Sequence, residues 1–160
     1  MSVSFQKVNS VSALREFGVW CQAMSDQASL QILSDLLNQI RYSLLQYIGE
    51  TWPWTGPAEQ SRKDVFSGLV RRQQFSAERL ASLLLDRRAV VLGSNYPRDC
   101  SELHFVTLDY ARTRLVDNAN EIVSSLKNAA SSLSDDPEAL RLVEQLASDE
   151  EQTLSVLKTL

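Results

Sequence analysis

Four polar residues stand where apolar ones would be expected, and their types limit what this chain can do: Gln73, Asn118, Glu150 and Thr153. Each interrupts an apolar stripe of helical spacing. Gln73 falls among Phe66, Leu69, Ala77, Leu80 and Leu84, and Asn118 among Leu108, Ala111, Leu115, Ile122, Ser125 and Ala129. Glu150 and Thr153 fall among Ala139, Val143, Leu146, Leu157 and Leu160. A further stripe, Leu30, Leu33, Leu37, Ile40, Leu44 and Tyr47, has Ile40 at the matching place. A buried carboxylate without a partner is costly, so Glu150 is expected to be hydrogen-bonded, paired, protonated or turned to solvent. Two roles fit such a layer. One is a metal or small-ligand site at the middle of a bundle; the other is a satisfied polar layer that fixes helix register. Hard and borderline metals need anionic oxygens or imidazoles. One carboxylate, two amides and a hydroxyl therefore favour the register layer.

Little else in the chain offers chemistry. His104 is the one histidine, which excludes histidine-rich metal sites built within one chain and leaves Ser–His or Cys–His catalysis resting on a single residue. Neither a Gly-rich phosphate loop nor a hydrolase motif is present. Cys21 and Cys100 are far apart with no Cys-x-x-Cys spacing, and read as reduced thiols of a cytoplasmic protein, with a disulfide or zinc site as the lesser alternative. With 16 basic and 20 acidic residues the net charge is -4, which argues against general affinity for nucleic acid. Arg71, Arg72, Arg79, Arg87 and Arg88 are interleaved with Glu78 and Asp86, the pattern of a solvated helix face rather than a phosphate-binding one. The first twenty residues do not read as a secretion signal, and no apolar run is long enough to span a bilayer.

The stripes predict the elements. With 160 residues, 44% apolar and few Gly and Pro, the chain is expected to form one all-α domain. Residues 1–28 read as a loose arm and a short helix over Val11–Met24, and residues 29–160 as a four-helix bundle. Helix 1 carries the Leu30–Tyr47 stripe and ends before Pro53 and Pro57, where Trp52 and Trp54 are expected to cover the end of the core. Helix 2 is expected over about Glu59–Arg88, helix 3 from Ser101 or Glu102 to Leu133, and helix 4 from Pro137 to the C-terminus. Asp136, Pro137 and Glu138 form a strong helix start. The connection from Ala89 to Ser101 could reach about 40 Å when extended, the length of a helix of about 26 residues. It predicts a crossover along the whole bundle, with helices 2 and 3 parallel; an up-down-up-down bundle is the alternative.

These helices resemble those of the bacterial ferritin-like superfamily, of bacterioferritin and rubrerythrin type. Leu33-Ser34-Asp35-Leu36-Leu37 with Leu45-Gln46-Tyr47 resembles the first helix, Ser76-Ala77-Glu78-Arg79-Leu80 the stretch beginning at the histidine of the second-helix Glu-x-x-His motif, and Asp149-Glu150-Glu151-Gln152-Thr153-Leu154 the fourth-helix Glu-x-x-His region. Arg79–Leu85, Tyr96-Pro97, Leu103-His104, Leu108-Asp109-Tyr110 and Arg114-Leu115-Val116 are similar to an uncharacterised branch of environmental bacteria. The resemblance covers about residues 30 to 160. It implies that the di-iron ligand positions fall on Ile40, Gln73, Ser76, Asn118, Glu150 and Thr153, of which Glu150 alone is a competent ligand. With those ligands replaced, the resemblance implies a non-catalytic, cytoplasmic ferritin-like protein without a cofactor. It would act as an interaction or assembly module and homo-oligomer, a dimer being one form, with no nucleic-acid or membrane partner. The alternative is a divergent metal-binding oxidase, peroxidase or iron-handling protein with its site near Glu150.

Overall fold

Stripes of leucine and alanine at steps of three and four leave one face of each segment to be buried, and every regular element of the protein among the described residues is helical. The computed structural model describes residues 10–51, 60–103 and 107–160, with side chains from Asp26 onward apart from those of 99, 101, 102 and 108. Helix α1 spans Ser10–Arg41, α2 Leu44–Thr51, α3 Gln60–Asp86, α4 Leu108–Ser132 and α5 Pro137–Leu157, and a 3-10 segment covers Arg98–Leu103. No helix among the described residues is long and apolar enough to cross a membrane. The expected roles of Trp52, Trp54 and His104 fall outside the described residues.

Two apolar clusters fix the directions of the helices. One joins Leu33, Leu36 and Leu37 of α1 with Leu80 and Leu84 from the end of α3, Leu126 and Ala129 from the end of α4, and Ala139 and Val143 from the start of α5. The other joins Leu44 and Ile48 of α2 with Phe66 and Leu69 from the start of α3, Ala111 and Leu115 from the start of α4, and Leu154 and Leu157 from the end of α5. Helices α3 and α4 therefore run the same way, and α5 runs with α1 and α2. The connection from α3 to α4 packs Ala89 and Val91 on the first cluster and Tyr96, Cys100 and Leu103 on the second, so it travels the length of the bundle. Tyr96 pins it there: its ring meets those of Tyr42 and Tyr47 edge-on at 5.5 and 5.2 Å, and its hydroxyl donates to Glu50 at 2.7 Å.

Three boundaries differ from those the sequence predicts. The short N-terminal helix and the first part of helix 1 are a single α1, since no Gly or Pro lies between Met24 and Leu30. Helix 1 does not run unbroken to Tyr47: it stops at Arg41 and restarts at Leu44. Helix 3 starts at Leu108 rather than near Ser101, with Thr107 capping the amide of Tyr110 at 3.3 Å. The start of α5 is as expected, Asp136 accepting from Ala139 N–H at 3.2 Å with Pro137 in the first turn.

The far end of α3 closes on a backbone device that its sequence hides. Ala89 N–H donates to Leu84 O and Arg88 N–H to Leu85 O, both at 2.9 Å, with Arg88 left-handed at φ 55°. Just before it, Arg87 donates to both carboxylate oxygens of Asp136 and to Glu138 at 2.9 Å, clasping α3 to the start of α5. The paired cation holds the Asp136 carboxyl below its usual range against the opposing effect of burial, and the Ala139 amide and Ser29 of α1 add to the lowering. At the other end Gly49 lets α2 approach α3 closely, since a Cβ there would stand 2.8 Å from Val70 Cγ2.

Candidate functional site

The polar residues lie between the two apolar clusters, where the bundle is interrupted. At the break after Arg41, Ser43 N–H turns back to Ile40 O at 3.3 Å, and the first amides of α2 lose the carbonyls a continuous helix would supply. Side chains replace them. Asn118 Oδ1 accepts from Leu44 N–H at 3.0 Å, and Ser43 Oγ accepts from Gln46 N–H at 3.3 Å, the N-cap half of a Ser-x-x-Gln start. The interruption in α1–α2 is thus built by residues of the layer itself.

Gln73 is the hub. Its Oε1 accepts from Ser43 Oγ–H at 2.6 Å and from Gln46 Nε2–H at 3.1 Å, and its Nε2 donates to Glu150 Oε2 at 3.0 Å. Gln46 Nε2 also donates to Val70 O at 3.1 Å, tying α2 to α3. The donors align in one direction, Ser43 and Gln46 into Gln73 and Gln73 into Glu150, so each bond polarises the next. Gln73 is 1% exposed and Glu150 1%, so neither has water to fall back on.

Glu150 keeps one oxygen out of this chain. Its Oε1 is buried with no hydrogen-bond partner among the described residues. Burial pushes its carboxyl up to about 7, with the Gln73 amide and Arg72 charge opposing and the neighbouring Asp149 charge reinforcing the rise. Near neutral pH the group is divided between its acid and carboxylate forms, and the acid form removes the largest penalty of burying it.

Most of the layer is buried. Gln73, Ser76, Glu150 and Thr153 are buried, and Ile40 is fully buried beside them. Asn118 is half-buried rather than buried, a correction to its expected place, because it reaches outward over the start of α2. Ser76 and Thr153 do not join the network: their hydroxyls bond the carbonyls one turn back, Ser76 to Arg72 O at 3.4 Å and Thr153 to Asp149 O at 3.2 Å. Ser43 and Gln46, absent from the sequence-predicted site, are two of its central members. The Ser-x-x-Gln spacing inside an apolar stripe was the available signal.

The chemistry open to this centre is narrow. One carboxyl, three carboxamides and three hydroxyls supply a single anionic donor, and both polar atoms of Gln73 are already engaged. Among the described residues no three of His, Cys, Asp and Glu come together as a metal site. The set does not fit a pair of iron ions, whose ligands are several carboxylates and two imidazoles. Cys100 is a buried thiol in the second apolar cluster. A cleft of about 310 Å³ between α1, α2 and α3, bordered by Leu37, Arg41, Gln46 and Ala77, adjoins the layer. No known protein family, curated protein or solved structure matches this chain.

Proposed function

We propose that the chain is a ferritin-like bundle whose centre serves structure rather than redox chemistry, and that it works as a non-catalytic interaction or assembly module. The crossover that lets α3 and α4 run the same way supports the ferritin-like reading. The observation that carries the functional reading is the engagement of both polar atoms of Gln73, at a position where the resemblance implies a metal-binding carboxylate. A side chain of α3 bonded to α2, to α5 and to the break between α1 and α2 fixes their mutual register, an attested use of buried polar groups. Sliding α2, α3 or α5 by a turn would strand polar atoms of the hub in an apolar cluster.

Elemental analysis of the full chain, purified without chelator, tests this. The expected result is iron, manganese and zinc each well below stoichiometry; about one equivalent or more per chain, lost on Glu150→Ala, would sink the reading. The unpartnered Glu150 Oε1 favours the competing metal-binding oxidase or iron-handling reading, and the same measurement decides between them.

A further inference from the structure

Glycine is among the least favourable residues in a helix interior, so a glycine there calls for a close neighbour. Gly49 has one in Val70. Gly68, in the middle of α3, has none: it is exposed, and a Cβ built on it meets nothing within 4 Å. The same outward face carries two large apolar side chains left in water, Val65 at 46% and Phe75 at 60% exposure. Asp64 and Arg72 flank Gly68 four residues to either side, on a single ridge of the helix. Among the described residues the exposed Arg72 forms no ion pair and Asp64 accepts from Gln60 Nε2 alone, at 3.1 Å.

We propose that this face of α3 is a self-complementary docking surface, on which a second copy of the chain crosses antiparallel at Gly68, Asp64 of each copy meeting Arg72 of the other. The inference rests on the assembly reading above and names its partner. The spacing makes the surface match itself. When two identical helices cross antiparallel at residue 68, position 64 of one lies opposite 72 of the other and position 61 opposite 75. Opposite charges therefore meet twice, about 6 Å to either side of the crossing, and each Phe75 ring lies over the small Ser61 beside Val65 of the second copy. Ridges of this i±4 type interlock at a crossing angle near -50°, and the missing Cβ of Gly68 lets the two axes draw together. Two-fold symmetry gives every contact twice, as an isologous interface requires.

Sedimentation equilibrium of the full chain, with charge reversals, tests the proposal. The expected result is a dimer whose dissociation constant rises at least about tenfold with Asp64→Arg or Arg72→Asp alone and returns toward the parent value when both are combined. Gly68→Leu is expected to abolish the dimer while the helical circular dichroism of the monomer is kept, because leucine favours helix. A parent that stays monomeric at about 100 µM, single reversals without effect, or a double reversal that fails to restore the dimer would each overturn it. A monomeric chain free of metal removes this interface and leaves the metal-free reading intact; a charge-dependent dimer that carries stoichiometric iron does the reverse.

Discussion

The middle of the bundle and the end of α3 each hold a carboxyl in hydrogen bonds, and the two carboxyls are driven in opposite directions. Glu150 is bonded by the equally buried Gln73 amide and rises to about 7. Asp136 is bonded by the Arg87 guanidinium at a partly exposed corner and falls below the carboxylate range. An amide dipole cannot replace the hydration a buried charge gives up, whereas a cation can hold a charge that water still partly reaches. The mid-layer holds its carboxyl by burial and amide bonds, the clasp by an opposite charge at a partly exposed corner.

The largest expected effect breaks the first region. Gln73→Leu removes the acceptor of Ser43 and Gln46 and the donor to Glu150 at once, and should cost about 3 kcal/mol or more, read by urea denaturation. Loss within the ordinary range of exposed sites would show that the network is not what specifies the core.

Next comes a difference in sign. The raised Glu150 group contributes stability that is complete below about pH 4.5 and lost as the pH rises through about 7. Glu150→Gln should flatten that fall and gain on the order of 2 kcal/mol at pH 8, relative to the parent at the same pH. Asp136 has the opposite dependence: its contribution is present above the ordinary carboxylate range and disappears as the pH falls through its lowered value. Asp136→Ala should cost about 1 kcal/mol at neutral pH, from the cap and the clasp together, and nothing further in acid. Thermal melts from pH 3 to pH 8 separate the two profiles, and parallel profiles would erase the contrast.

The smallest effect sharpens the corner. Arg88 occupies a left-handed conformation that glycine adopts freely, so Arg88→Gly should stabilise by roughly 0.5 kcal/mol, visible as a small rise in melting temperature.

Much of this was legible because the signals are local or periodic. Asp136-Pro137-Glu138 announces a helix start through three adjacent side chains, and α5 begins there. The stripes place Leu33, Leu37, Leu80, Ala111, Val143 and Leu157 in the core, where they are buried. The break after Arg41 is illegible for the same reason. Ile40, Leu44 and Tyr47 keep steps of four and three straight across it, so periodicity cannot register a helix that stops and restarts in phase. Nor could the pattern show that Asn118 would serve a backbone amide on another helix, since the need for that acceptor exists only once the break does. The end of α3 carries no glycine, and Arg88 takes the left-handed place without advertising it. Gln73 and Glu150 stood out as polar in apolar surroundings, but their bond joins residues 77 positions apart, which no local pattern encodes.

The crossover has a consequence for how the molecule could be divided. It joins two helical hairpins, α1–α2 with α3 and α4 with α5, each made of near neighbours in sequence, and Gly93, Ser94 and Asn95 lie exposed along it. Such a tether acts on the two halves chiefly by holding them at high effective concentration, a service that weakens only slowly with its length. A protease nick at Ser94 should therefore leave two fragments that migrate as one particle, held by both apolar clusters and by the bond from Gln73 in one fragment to Glu150 in the other.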